Sequence, residues 1–338
     1  MASLPATLED VQQAAARIRP IAHLTPVMTS QTFDTAIGAS AFFKCENPQK
    51  GGAFKIRGAA NLIFSLSPEQ LTRGVIAYSS GNHAQATALA ARHVGTKATV
   101  VMPDDAPAVK RAATEAAGAE IITYDRMRED RESVTRAIVE RTGATIVPPF
   151  DHPMIIAGQG TTALELLQQA HELDTLVIPI GGGGLASGCA IASKALNPKI
   201  KVYGVEPELA NDAYLSIRAG KRTAIAPPAT IADGLRTPCP GELTFPVLHG
   251  LLDDVLLVTE DEIRAAMHFF FSRMKLVVEP SGAVSAAAVM HGRLPAGSKR
   301  IGIVVSGGNV GITAFETEIS AAEVPFPYRE SLPRAPAP

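Results

Sequence analysis

The sequence predicts an α/β protein of two open, twisted α/β units with parallel sheets and a cleft between them. Three features lead to that class. Short apolar, β-rich runs alternate with alanine-rich helical stretches, glycine gathers where the runs end, and Pro148, Pro149 and Pro153 interrupt the alternation midway. Strands that alternate with helices are covered on both faces, which is the arrangement of a parallel sheet. A chain of 338 residues allows about two domains of roughly 150 residues each.

Taken in order, Thr7 and Asp10 form a capping box that opens an N-terminal amphipathic helix. Strands are predicted over Gly74–Ser79, Lys97–Met102, Glu120–Tyr124 and Thr145–Val147, with helices over His83–His93, Ala108–Ala117 and Arg126–Arg141 between them. The prolines at 148, 149 and 153 read as a hinge. The same rhythm resumes with strands over Thr175–Ile180, Lys201–Val205, Val255–Val258 and Arg300–Val305. Beyond Ala322 the chain holds five prolines and no periodicity, so residues 323–338 are expected to fray or drape over the surface.

Composition excludes several classes. The net charge of −2 offers no broad basic footprint for nucleic acid. With 46% hydrophobic and 19% charged residues, disorder is not expected. Cys45, Cys189 and Cys239 are an odd number without CxxC spacing, which suits neither a disulfide framework nor a zinc site. The N-terminus lacks the basic start and apolar stretch of a signal peptide. The uncharged stretch between Asp174 and Lys194 is broken by Pro179 and four glycines, so no membrane helix is expected there. These features point to a cytoplasmic protein acting on small molecules, with neither a nucleic-acid polymer nor a membrane as partner.

Ligands of open α/β sheets gather at the carboxyl ends of strands, where the next helix presents unpaired N–H groups. Three such ends stand out. Ser79, Ser80, Gly81 and Asn82 run into a helix and offer hydroxyls, an amide and N–H groups to a carboxylate, or simply an N-cap. Gly181 to Gly184 can turn their N–H groups around an oxyanion, which favours a phosphate cradle over a plain turn. Ser306 ends a third strand before Gly307 and Gly308. A rival reading exists, because Gly181, Gly183 and Ala186 fit the GxGxxA dinucleotide fingerprint with Glu206 as the ribose-binding acid. A Walker motif fails, since no Lys-Ser/Thr pair follows the glycines. Lys55, between Phe54 and Ile56 at a predicted helix start, bears on the choice. Desolvation and helix N–H groups would lower its pKa and favour the neutral amine that a Schiff base needs. Lysine, phosphate cradle, carboxylate loop and strand-end serine together match a pyridoxal phosphate site.

The motifs Lys50-Gly-Gly-Ala-Phe-Lys55-Ile-Arg-Gly-Ala, Ser80-Gly-Asn-His-Ala-Gln, Gly181-Gly-Gly-Gly-Leu and Ser306-Gly-Gly-Asn, in this order, resemble the serine/threonine dehydratase family of fold-type II pyridoxal phosphate enzymes. Ala157-Gly-Gln-Gly-Thr161, Thr230-Ile-Ala-Asp-Gly234 and Arg273-Met-Lys-Leu-Val-Val-Glu-Pro280 are most similar to its serine racemase and 3-hydroxyaspartate dehydratase branch. The resemblance implies a tryptophan synthase β-like fold. Residues 1–68 and 153–322 would form a large cofactor-binding domain and residues 74–150 a small one.

It further implies that Lys55 holds the cofactor and then acts as base at Cα, and that Gly181, Gly182, Gly183 and Gly184 bind the phosphate. Phe54, Asn82, Glu279 and Ser306 complete the cofactor site. Ser306 stands where an acid would protonate the pyridine nitrogen, and a serine there favours elimination over transamination. Ser79, Ser80, Gly81, Asn82 and His83 would hold the substrate carboxylate, and Ser80, on the face opposite Lys55, permits racemisation. Glu206, the Ala210 carbonyl and Asp212 look like a divalent metal site for Mg²⁺, or else Ca²⁺ or Mn²⁺. Arg131 falls where a guanidinium could reach a second substrate carboxylate, with Arg236 and His152 as further candidates. The activity implied is dehydration and deamination of 3-hydroxyaspartate, serine or threonine to a 2-oxo acid and ammonia. Amino-acid racemisation is the alternative, and a homodimer is expected.

Overall fold

The computed structural model describes residues 4–106 and 108–322; the tail at 323–338 lies outside them. The first helix, Leu8–Ile18, is opened by the expected capping box: Asp10 N–H donates to Thr7 Oγ1 (3.2 Å) and Thr7 N–H to the Asp10 carboxylate (2.8 Å). Its apolar face, Val11, Ala14 and Ile18, is buried.

Ten strands occur among the described residues: β1 (Val27–Met28), β2 (Ser40–Cys45), β3 (Val75–Tyr78), β4 (Ala98–Pro103), β5 (Ala119–Tyr124), β6 (Thr145–Ile146), β7 (Thr175–Pro179), β8 (Lys201–Pro207), β9 (Asp254–Val258) and β10 (Arg300–Val305). They form a six-stranded sheet, β1-β2-β10-β7-β8-β9, and a four-stranded sheet, β5-β4-β3-β6. Every pairing is parallel except β1 with β2. Helices cover the sheets, so β4 and β7 are buried at every residue, as continuous apolar runs demand.

All eight predicted strands are present, and two more precede them. Sequence reading overlooked β2 because Lys44 and the following Glu46 look like solvent-facing charges. Both are fully buried and paired inside the protein. A second correction concerns the helix expected from Arg126. It starts at Arg131, capped by Asp130, whose carboxylate accepts from Ser133 N–H (2.9 Å). Residues 125–129 instead form a turn, in which the N–H groups of Arg128 and Glu129 donate to the Asp125 carbonyl. The five residues from Arg126 to Asp130 therefore lie outside the helix.

The helices Lys55–Ile63, Pro153–Gln169 and Gly184–Leu196 stack behind the site at very short range. Glycine permits this. A Cβ on Gly158 would lie 2.5 Å from the Arg57 carbonyl oxygen, and one on Gly188 would lie 2.1 Å from that of Ile156. Backbone, not a yielding side chain, is what each would strike. We therefore expect Gly188→Ala to destabilise the protein by about 1–3 kcal/mol through overpacking. Gly250→Ala, on an exposed helix position with open space around it, should gain about 0.4–1 kcal/mol. Urea unfolding of the two variants checks the pair.

Candidate active site

The three strand ends converge on one cleft of about 770 Å³. It is lined by Phe54, Lys55, Ser79, Ser80, Gly81, Asn82, His83, Arg131, Gly181 to Gly184, Arg236, Glu279 and Ser306, so every residue assigned from sequence to cofactor or substrate, His152 excepted, faces one space.

Two helices open onto it with no side-chain cap. One is Gly184–Leu196 after the glycine run and the other is Asn82–His93 after Gly81. Uncapped helix N-termini are anion sites. The glycine loop itself admits no side chains. A Cβ on Gly182 would lie 2.3 Å from the Phe150 ring, and Gly183 has φ +93° with Thr244 Oγ1 2.8 Å from where its Cβ would be. Thr244 Oγ1 also donates to the Gly182 carbonyl (2.7 Å).

Lys55 opens the helix Lys55–Ile63 and lines this cleft. Its Nζ donates to the Pro149 carbonyl (2.8 Å) and lies 5.1 Å from the centroid of the Phe54 ring. Burial pulls its pKa down to about 8, against the opposing pull of the Glu279 carboxylate. Desolvation is the main cause, as the apolar neighbours suggested. The loop before it is stitched to the third strand end. Phe54 N–H donates to the Ser306 carbonyl (3.0 Å) and Gly308 N–H to that of Gly52 (2.9 Å).

Asn82 is held from both sides: its Nδ2 donates to Glu279 Oε1 (2.7 Å) and its Oδ1 accepts from Asn309 Nδ2 (2.9 Å). Asn309 also donates to the Gly51 carbonyl (2.7 Å). Its part in orienting Asn82 was missed, although the Ser-Gly-Gly-Asn motif contains it. Ser306, 3% exposed, donates to the Ser281 carbonyl (3.3 Å).

Charged candidates divide. Arg131 stands 5.4 Å over the Tyr78 ring at the cleft wall. Arg236 donates twice to the Thr230 carbonyl (2.8 and 2.6 Å). His83 is buried with Nε2 on the Val147 carbonyl (2.8 Å), and burial, then repulsion from Lys55, pushes its pKa down to about 3, so it is neutral. His152 is not in the lining. It caps the helix Pro153–Gln169, its Nδ1 accepting from Met154 N–H (3.1 Å), which removes it as a carboxylate ligand. Its neighbour Asp151 accepts from the N–H groups of Glu242, Leu243 and Thr244 (2.8, 2.9 and 3.1 Å), pinning Phe150 beneath the glycine loop.

Glu206 and Asp212 lie outside the cleft lining, both fully buried. Glu206 accepts from the N–H groups of Ala213 (3.0 Å) and Tyr214 (2.8 Å), which rules out the ribose-binding reading. Neither Asp212 oxygen has a hydrogen-bond partner. Burial, and repulsion from Asp212, push the Glu206 carboxyl well up, and burial raises Asp212 to about 7.

The lysine makes a pH prediction. Because its pKa is lowered, Lys55 sheds its proton near pH 8 and not near 10.5. Acetylation of Lys55, followed by mass spectrometry on the ligand-free protein, should be half-maximal near pH 8. Glu279→Gln, which removes the carboxylate that favours the charged amine, should move that midpoint lower.

Comparison with known proteins agrees with this geometry. The family model described as "Pyridoxal-phosphate dependent enzyme" matches residues 18–307. The chain is 47% identical over 317 residues to L-threo-3-hydroxyaspartate ammonia-lyase of Saccharomyces cerevisiae, covering 94% of this chain and 97% of that protein. It is 48% identical over 309 residues to serine racemase of Schizosaccharomyces pombe, covering 91% and 96%. The structure of maize serine racemase superposes with a TM-score of 0.90 at 45% identity, covering 94% of this chain and 97% of that one. On this similarity over nearly its whole length, the chain belongs to the pyridoxal-phosphate-dependent enzymes of fold type II.

Proposed function

We propose that the protein is an ammonia-lyase that converts a β-hydroxy-α-amino acid into a 2-oxo acid and ammonia. The observation that carries this is the cleft itself. Two uncapped helix N-termini, suited to a phosphate and a carboxylate, flank a lysine whose pKa is about 8.

Pyridoxal phosphate, when bound, supplies the electron sink that acidifies the substrate Cα–H. The residues do the rest. N–H groups of Gly181 to Gly184 would bind the phosphate, Phe54 would pack on the ring, and Asn82, oriented by Glu279 and Asn309, would donate to its phenolic oxygen. Ser306, turning its hydroxyl from the Ser281 carbonyl, would face the ring nitrogen without protonating it as an acid would, which suits loss of a β-substituent. The Ser79 to His83 loop holds the substrate carboxylate, and the neutral Lys55 amine takes the Cα proton as the β-hydroxyl leaves. The enamine released tautomerises and hydrolyses to the 2-oxo acid and ammonia.

Racemisation is the second reading, favoured by Ser80, whose hydroxyl lines the same cleft and would exchange the Cα proton on the other face. Relatives of both kinds, a hydroxyaspartate ammonia-lyase and serine racemases, are nearly equally similar. Arg131 on the cleft wall supports 3-hydroxyaspartate as substrate, with serine and threonine also taken. On this reading residues 1–68 with 153–322 are the cofactor domain and 74–150 the small domain. We also infer a cytoplasmic homodimer, in keeping with three free thiols and, among the described residues, no helix long and apolar enough to cross a membrane.

We further propose a Mg²⁺, Ca²⁺ or Mn²⁺ site at Glu206, Asp212 and the Ala210 carbonyl. Two buried carboxylates, one without any partner, support it. Among the described residues no group of three or more His, Cys, Asp and Glu is placed to hold a metal, so main-chain and water oxygens must complete the shell.

Three measurements test these assignments. Ser80→Ala should suppress enantiomer formation more than 2-oxo acid formation from L-serine, and equal losses would confine Ser80 to carboxylate binding. Arg131→Ala should lower kcat/KM for 3-hydroxyaspartate by roughly 10- to 100-fold, the worth of a hydrogen bond to a charged group, while sparing serine. Added Mg²⁺ should raise the Tm of the wild type and leave that of Asp212→Asn unmoved.

A further inference from the structure

Directly behind Lys55 lies a cluster of charges buried away from the cleft. Arg57, Glu46 and Lys44 are each 0% exposed. Arg57 grips two carboxylates at once. Its Nε and Nη2 donate to Glu46 (2.7 and 2.9 Å), and its Nη1 and Nη2 donate to Glu165 (2.7 Å each). Nη1 reaches Thr161 Oγ1 as well (3.1 Å). Lys44 Nζ completes the cluster on Glu165, Gln169 Oε1 and the Thr25 carbonyl (2.7, 2.8 and 2.7 Å). Two cations and two anions cancel. Burial would raise the Glu46 carboxyl, but Arg57 beside it holds it below the usual carboxylate range.

As a source of stability such a cluster is inefficient, because desolvating the ions consumes most of their attraction. What it supplies is direction. The helix Lys55–Ile63 rests on the helix Pro153–Gln169 through Gly58 and Gly158, where a Cβ on Gly158 would strike the backbone of Arg57 and Gly58 at 2.5–2.7 Å. Polar ties flank that glycine contact and set the rotation of one helix on the other. Asn61 Nδ2 donates to the Met154 carbonyl (2.7 Å), and the forked guanidinium ties the first turn to Glu46, just past β2, and to the long helix through Glu165 and Thr161. Two residues apart on a helix places Arg57 and Lys55 on nearly opposite faces, so the clamp at the back sets where the amine points at the front.

We propose that Arg57 is a positioning residue for Lys55, acting with Glu46 and Glu165 to hold the lysine amine at its working place in the cleft. The inference rests on Lys55 being the base of the proposed reaction. Lysine cannot replace the guanidinium here, because it lacks the planar double fork.

The test compares the holoenzymes of wild type, Arg57→Lys, Glu165→Gln, Lys55→Ala and a core control, Phe33→Leu, at a buried ring outside both the cleft lining and the ion cluster. Tm, kcat, KM and the pH profile of kcat/KM are read for each. Arg57→Lys should lower kcat by about 100-fold, the cost of misplacing a reacting group by about 1 Å, with KM nearly unchanged and the pH midpoint displaced. Glu165→Gln should move the same two readouts in the same direction, and it decides the matter if Arg57→Lys does not fold. Phe33→Leu should lose Tm without losing kcat. The proposal is overturned if the clamp variants lose only what the Phe33 control loses at equal Tm and keep the wild-type midpoint. An inactive Lys55→Ala beside a normal Arg57→Lys overturns this proposal alone. Persistent turnover in Lys55→Ala overturns the assigned base, and the positioning role with it.

Discussion

The site depends on a charge cluster almost wholly withdrawn from water, only Glu165 keeping a partly exposed side chain. Arg57 between Glu46 and Glu165, with Lys44 beside them, binds the end of β2, the helix that begins at Lys55 and the helix Pro153–Gln169 into one rigid block. A buried guanidinium with unmet N–H groups would be costly, so each of these elements is obliged to approach at the angle that satisfies it. Glycines at 58, 158, 160 and 188 make the approach sterically open, and the ion cluster makes it unique. The reacting face of the cleft inherits its geometry from that block.

In front of the block the electrostatics are of a different kind. The cleft collects partial positive charge from two helix N-termini, and burial lowers the pKa of its lysine to about 8. Anions are therefore attracted to two places, while the amine between them gives up its proton far more readily than an exposed lysine would. His83, neutral and committed to the Val147 carbonyl, and Lys55, on the Pro149 carbonyl, both grip the segment that returns from the four-stranded sheet. Asp151 fixes the same segment from the other side. The region that sequence punctuation marked as a hinge is thus tied to its surroundings by three side chains, Lys55, His83 and Asp151.

Much of this was legible beforehand. Strands from β3 to β10 announce themselves as apolar runs, and their glycine-bearing ends mark the cleft, because oxyanion binding by main chain leaves no other residue type free to serve. The motif around Lys55 was equally clear. The failures have two causes: buried charge reads as exposed, and a polar run does not show where a helix starts or which side chain caps it. Buried Lys44 and Glu46 hide β2, the exposed run after Asp125 joins a helix only at Arg131, and His152, offered to a substrate, caps its own helix. Local pattern carries no information on whether a charge finds its partner a hundred residues away.

By itself the sequence determined the family, the α/β class, the order of the strands after residue 74 and the identity of the groups at the three strand ends. Those follow from periodicity and from the restricted chemistry of glycine, serine and lysine at fixed spacing. Only the tertiary structure decided that Glu206 faces main-chain N–H groups outside the cleft, that Asn309 orients Asn82, and that Arg57 joins residues more than a hundred positions apart behind Lys55. The contacts of Asn309 and Arg57 join residues far apart in the chain, and the N–H groups that Glu206 meets are presented by a helix start, so all depend on folding. For the buried Arg57, exclusion of water adds strength that exists only once the chain has folded.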